Sequence, residues 1–137
     1  MAYIVNNGKI VTSVGKCLTK YVPSENVAIM KLQNFWTGIN AYIVDYDALP
    51  TDQSDLESYM NFDSQGAYNF SYTAIDDEFG YFNAQSANDL IHSFTRTVAY
   101  DSYGFNDITC KKIGTSPPGP ADYVDGVLSC QVGTDEV

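Results

Sequence analysis

His92 is the only histidine in the chain, so any nucleophile–histidine–acid constellation working near neutral pH would have to use it. It stands between Ile91 and, two residues on, Phe94, a setting that reads as a structural or surface histidine rather than a general base. Cys17, Cys110 and Cys130 are widely spaced, with no C-x-x-C among them. With one histidine they fall short of the four-ligand set that structural zinc takes. Unpaired buried thiols are the ordinary expectation for such an odd set. If one pair bridges in an oxidising setting, Cys110 with Cys130 is the pair, because both lie in C-terminal strand candidates.

Carboxylates are the remaining source of chemistry. Asp45-Tyr46-Asp47 and the run from Asp52 to Glu57 supply oxygens of the kind that hold calcium, and paired acids can hydrolyse glycosides. The D-x-D spacing is not followed by the third acid and glycine of an EF-hand loop, and Asp52 and Asp55 fit better as helix-start residues. Asp76-Asp77-Glu78, just before Phe79-Gly80, reads as a solvated turn. The chain contains no phosphate-cradling P-loop, no G-x-G-x-x-G and no G-x-S-x-G elbow. The expectation is a non-enzymatic protein with no catalytic residues, no metal and no cofactor.

The charge distribution is more informative than any motif. Net charge is −10 over 137 residues, which argues against direct nucleic-acid binding, since that requires clustered Lys and Arg. Lys9, Lys16 and Lys20 precede the first acid, Glu25. Between Lys31 and Arg96 there is no cation but ten acids, from Asp45 to Asp89. A basic leading segment thus precedes an acidic body, and complementary fields of this kind steer association between copies. Eleven Tyr and seven Phe against one Trp suit a β-sheet core edged by aromatics, or a contact surface. Nothing approaches the apolar length needed to span a bilayer, and Met1-Ala2-Tyr3 opens no signal-peptide pattern. Residence in a cytoplasm is the corresponding expectation.

The positioning elements follow from periodicity. Ala2 to Asn6 and Lys9 to Val14 flank Asn7-Gly8, a pair suited to a type I′ hairpin turn, and predict an extended N-terminal hairpin arm over 1–22. The rest, 23–137, reads as one domain. Val27 to Phe35 and Ile39 to Tyr46 read as strands around a Thr37-Gly38 turn. A short helix is predicted over about 53–61, capped by Thr51 or Asp52, and a strand over Tyr68 to Ile75. Ser86 and Asp89 resemble a capping box, and Ala87, Leu90, Ile91, Phe94 and Val98 then share a helical stripe, predicting the principal helix over about 86–100. Ile108 to Ile113 and Val127 to Val132 are further strand candidates around the loop Thr115 to Pro120, with a tight hairpin at Asp125-Gly126. Thr134 to Val137 reads as a loose tail. The predicted class is α+β, mainly β, as an antiparallel sheet or sandwich.

The opening Ile4-Val5-Asn6-Asn7-Gly8-Lys9-Ile10-Val11-Thr12-Ser13-Val14-Gly15-Lys16 resembles the "NGK…GK" openings of tailed-bacteriophage virion proteins. The resemblance implies a structural virion component, such as a capsid decoration, head-fibre, connector or tail protein, made in the host cytoplasm and carried in the particle. Its partners would be copies of itself or other virion proteins, without a membrane or direct nucleic-acid contact. Lys9, Lys16, Lys20, Tyr3, Tyr21 and Trp36 are the interface candidates. Two other classes fit the composition: an acidic inhibitor or immunity-type protein imitating nucleic acid toward a basic partner, and a glycan-binding β-sandwich in which Trp36 and tyrosines stack on sugars.

Overall fold

A computed structural model describes residues 25–137 with their side chains and, ahead of them, only backbone elements. Strands β1 (Val5–Asn6) and β2 (Lys9–Ile10) pair antiparallel with Val5 opposite Ile10, as a hairpin around Asn7-Gly8 requires. The two turn residues lie outside the described residues, whereas the division expected at 22/23 falls inside a continuous helix that begins at Ser13, so the extended run expected from Lys9 to Val14 and the extended arm expected over 1–22 give way to helix from Ser13 onward. Helix α1 (Ser13–Tyr46) and a 3₁₀ turn (Gln53–Leu56) follow. The body is one antiparallel sheet in the order β3 (Tyr68–Asp76), β4 (Phe79–Ser86), β5 (His92–Asp101), β6 (Gly104–Ile113) and β9 (Asp135–Glu136), with a separate hairpin of β7 (Asp122–Val124) and β8 (Val127–Ser129). The architecture is mainly β with one main helix, in agreement with the predicted class.

The helix is not where the sequence placed it. Val27–Phe35 and Ile39–Tyr46, predicted as two strands, are continuous parts of α1. Ala28, Leu32, Phe35, Ile39 and Ile43 are all buried, and their spacings of four, three, four and four are those of one helical stripe. Over the short window Ala28, Met30 and Leu32 the alternation mimics a strand. Met30, however, is 61% exposed while its two supposed face-mates are buried. Gly38 is no turn residue either: a Cβ there would come within 2.6 Å of the Met60 side chain and 3.0 Å of the Tyr59 carbonyl oxygen. The glycine lets the 59–60 segment approach the helix.

Conversely, the principal helix predicted over 86–100 is strand β5. Ser86 and Asn88 close a turn instead of capping a helix, with the Asn88 N–H donating to Ser86 Oγ at 2.9 Å and the Leu90 N–H to Asn88 Oδ1 at 2.8 Å. Phe94 and Val98 happen to satisfy a helical spacing, yet they also lie an even number of residues apart and face α1 from the strand. Ser93, Thr95 and Thr97, at the alternate positions of the same strand, are equally buried. A strand covered on both faces shows no amphipathic alternation, which is why its pattern resembled a helix. The short helix predicted over 53–61 is a single 3₁₀ turn, with Asp52 at its N-cap as expected and Leu56 buried.

Two layers cover the sheet. On one face the α1 stripe meets an aromatic cluster in which Phe35 lies 4.9 Å from Phe82, 5.1 Å from Phe62 and 5.9 Å edge-on from Phe70. The buried Arg96 also points to this side. Its Nη1 donates to the Leu32 carbonyl of α1 at 2.5 Å, its Nε donates to Asp107 Oδ2 at 2.7 Å, and Nη2 donates to the same oxygen. On the other face runs the Pro-rich segment, which here is a strap. Ser93 Oγ donates to the Gly114 carbonyl, Thr95 Oγ1 to the Pro118 carbonyl, and the Ala121 N–H to Thr97 Oγ1, at 2.6 to 2.8 Å.

The strap is closed by a Cys110–Cys130 disulfide, so the expectation of unpaired thiols fails at these two positions while the preferred pair holds. The C-terminus is no loose tail: β9 pairs with β6 through Cys110–Glu136 and Lys111–Asp135, and the Val137 N–H donates to the Thr109 carbonyl at 2.9 Å. The disulfide holds Cys130 against β6 six residues before that pairing, which shortens the search for it.

Asp107→Ala leaves the buried guanidinium of Arg96 without its countercharge, and urea denaturation should show a loss of about 2–3 kcal/mol. The double variant Arg96→Met/Asp107→Ala should recover part of that loss, because no unpaired charge then remains buried. Cys110→Ser opens a loop of about 20 residues and should cost about 3 kcal/mol relative to the oxidised protein. Limited proteolysis should then cut first within 114–131.

Candidate assembly surface

Between Glu25 and Tyr46, α1 crosses the sheet in the direction of β5, and the chemistry divides between the two ends. At the beginning of β5, Glu25 Oε2 accepts from the His92 backbone N–H at 2.9 Å and lies 3.1 Å from His92 Nδ1. His92 therefore ties the helix to the sheet. The Tyr68 hydroxyl adds a hydrogen bond to the His92 carbonyl at 2.6 Å. Lys111 and Lys112 lie at this end of β6, along with Asp89, Asp135 and Glu136.

At the opposite end the helix C-terminus, the β3–β4 turn, the β5–β6 turn and the β7–β8 hairpin converge. The Leu49 N–H donates to the Asp77 carbonyl at 3.3 Å and the Tyr100 N–H to the Glu78 carbonyl at 2.9 Å. Asp47, Asp77, Glu78 and Asp101 border one shallow depression. Asp76, Glu78, Asp101 and Asp122 border a neighbouring cleft of about 450 Å³, against Phe79 and Tyr123. Among the described residues the one ion pair between a Lys or Arg and a carboxylate is Arg96–Asp107, with Glu25 held against His92 at the other end, so none of these carboxylates meets a Lys or Arg. Lys31 is occupied elsewhere, donating to the Asp63 carbonyl at 2.8 Å over the Phe70 ring. No group of three or more His, Cys, Asp or Glu side chains among the described residues converges in a metal-binding arrangement.

Tyrosines organise this end. The Tyr100 hydroxyl donates to Asp47 Oδ1 at 2.5 Å and the Tyr123 hydroxyl donates to Asp101. Tyr123 also stacks on Phe79, with centroids 5.7 Å apart and planes 12° apart. The hydrogen bond to Asp101, then burial, pushes the Tyr123 hydroxyl up to about 12. The hairpin turn itself is legible in the sequence: Asp125 and Gly126 have φ of 51° and 80°, the left-handed pair that a type I′ turn needs. Val124, Val127 and Tyr103 stand exposed beside it.

Of the sequence-predicted interface residues, Trp36 lies on α1 and is 44% exposed. Lys9, Lys16, Lys20, Tyr3 and Tyr21 fall where no side chain is described. The sequence does not single out Tyr103, Val124 and Val127 as surface: Val124 and Val127 read only as β-prone flanks of the tight hairpin, with Val127 opening the strand candidate Val127 to Val132. The hairpin itself is legible, but that it stands outside the main sheet cannot be recognised from β-prone residues. The sequence likewise missed Glu25 as the partner of His92, 67 residues away. No helix among the described residues is long and apolar enough to cross a membrane.

Tyr68 and Tyr72, both in the core, have their hydroxyls raised above the ordinary tyrosine range, chiefly by burial. The folded state holds these protons more tightly than the unfolded chain. Their contribution to stability is therefore complete below about pH 10 and is lost as pH rises further through the folded-state values. Absorbance at 295 nm should show these two ionising only together with loss of circular dichroism, and Tyr72→Phe, less stable at neutral pH for want of the 3.1 Å hydrogen bond to the Pro50 carbonyl, should lose less stability as pH rises above about 10. No protein-family model, no curated protein and no solved structure matches this chain, so its functional reading rests on residues and geometry.

Proposed function

We propose that the chain is a non-enzymatic structural subunit that assembles head to tail, its basic leading segment engaging the acidic end of a neighbouring body. The observation that carries this is the set of carboxylates at the helix C-terminal end, none of which is neutralised among the described residues, in a chain whose first 24 residues hold three lysines and no acid. Unneutralised charge of one sign on one part and of the opposite sign on another favours a contact between unlike surfaces. Unlike surfaces give heterologous contacts, which close into rings or continue as open filaments.

Two further features support an assembly role. At about 3.3 Å per residue the ten residues of β5 span roughly 33 Å, and at about 1.5 Å per residue the 22 helical residues from Glu25 to Tyr46 span the same length. The residues before Glu25 are thus not needed to cover the sheet. The disulfide suits oxidising surroundings, of which particle and cell surfaces are examples. A virion component, such as a tail, fibre or decoration protein, is the form of this proposal suggested by the N-terminal resemblance.

The acidic end also favours a second reading, an inhibitor that imitates nucleic acid toward a basic enzyme. The two readings separate on the lysines. Under the assembly reading, Lys9→Glu/Lys16→Glu/Lys20→Glu in the full chain should reduce the sedimentation-equilibrium mass at low salt from that of an oligomer to that of one chain. High salt should do the same to the unmodified protein. A wild-type protein that is monomeric at every salt and concentration, or an oligomer indifferent to the triple reversal, would reject assembly through the leading segment. Salt-sensitive capture of a basic nuclease, undisturbed by the reversal, would favour the inhibitor.

A further inference from the structure

The proposed function leaves open where on the acidic end a neighbour is received. We propose that the acceptor is the tip of the β7–β8 hairpin with the adjacent β5–β6 turn, and that its occupant is the leading segment of a second copy of this chain. This rests on the assembly reading above and specifies its receiving surface.

Tyr103, Val124 and Val127 are 64%, 66% and 65% exposed and belong to one surface, because the Tyr103 ring lies against Gly126. A Cβ at Gly126 would sit 2.7 Å from the ring. Exposed apolar side chains at a turn rimmed by carboxylates form the kind of patch on which protein contacts are made. The patch is also held stiffly. Tyr123 anchors the hairpin by stacking on Phe79 and donating to Asp101, and Asp101 Oδ1 accepts from the Tyr103 N–H at 2.9 Å. A surface rigid before contact loses little conformational freedom on binding.

Charge names the occupant. The patch is flanked by Asp101, Asp122 and Asp125, and beside it opens the cleft of about 450 Å³ bordered by Asp76 and Glu78 with the Phe79 and Tyr123 rings. Carboxylates around aromatic rings suit the ammonium group and methylene stem of a lysine. The leading segment offers the matching pattern: Ile4, Val5, Ile10, Val11 and Val14 interleaved with Lys9 and Lys16, and no acid before Glu25. Glu25 stands at the start of β5, beside His92, whereas Tyr103 follows the end of that strand. Because α1 is continuous from Ser13, the twelve residues ahead of Glu25 continue the helix for about 18 Å before the β1–β2 pairing, so the leading segment departs from the end opposite the acceptor and the contact is one between copies.

The test uses full-length protein and the same mass measurement, on Val127→Asp and, separately, Tyr103→Ser, with Leu90→Glu as control. Leu90 is 71% exposed but lies in the β4–β5 turn, at the other end of the sheet. Native-like circular dichroism and thermal midpoint qualify each variant. Loss of association in both acceptor variants, to the level of the triple lysine reversal, with Leu90→Glu still associated, is the expected result. If the lysine reversal dissociates the protein while Val127→Asp and Tyr103→Ser remain associated, the acceptor is wrong and the assembly reading stands. If the lysine reversal also leaves association unchanged, both fall. Loss of association in Leu90→Glu as well would place the contact elsewhere and overturn the acceptor.

Discussion

The structure depends on the burial of strand β5 on both of its faces. Phe94, Arg96 and Val98 turn toward α1, and Ser93, Thr95 and Thr97 turn toward the strap. The two covers differ chemically because the two sets of side chains do. Apolar groups need only area removed from water, which the α1 stripe and the phenylalanine cluster supply. Hydroxyls buried in the opposite face need acceptors or donors at hydrogen-bonding distance. An irregular segment with free backbone groups supplies these, since its carbonyls and N–H groups are not committed to a ladder. Among the described residues no buried side-chain nitrogen or oxygen is left without a partner.

Arg96 is where the two requirements meet. A guanidinium inside the apolar face costs desolvation, offset by Asp107 from β6 and by the Leu32 carbonyl from the helix. The bonds also define how α1 lies along β5, since only one placement brings Leu32 over Arg96. Together with Glu25 at His92 and Asp47 at Tyr100, they give the helix three polar fastenings along its length. The apolar stripe alone would tolerate sliding by a turn, because contacts between apolar groups are not directional.

This arrangement gives the molecule two different ends. The helix C-terminus and two tight turns bring carboxylates together at one end, where tyrosine hydroxyls donate to Asp47 and Asp101 without neutralising them. The tyrosine excess thus divides its labour. Tyr68 and Tyr72 fill the core, Tyr100 and Tyr123 organise the acidic end, and Tyr103 is left on the surface. An asymmetric body of this kind is suited to directional contacts with unlike surfaces.

Several parts of the fold were legible in the sequence because their causes are local. The strand from Tyr68 alternates because only one face is buried, Asp52 caps because its carboxylate reaches the Asp55 N–H, and Asp125-Gly126 turns because those residues accept positive φ. The separation of basic from acidic residues, and Cys110 with Cys130 as the preferred pair, were likewise readable from order along the chain. What only the tertiary structure decided is what covers what. Whether Phe94 and Val98 belong to a helix or a strand depends on the strap beneath Thr95 and Thr97. Whether Ala28 to Ile43 is one helix or two strands depends on the sheet it meets. Val124 and Val127 are surface because their hairpin pairs with nothing else. Burial is a property of contacts between segments far apart in the chain, and short-range periodicity records it unambiguously only where a single face is covered.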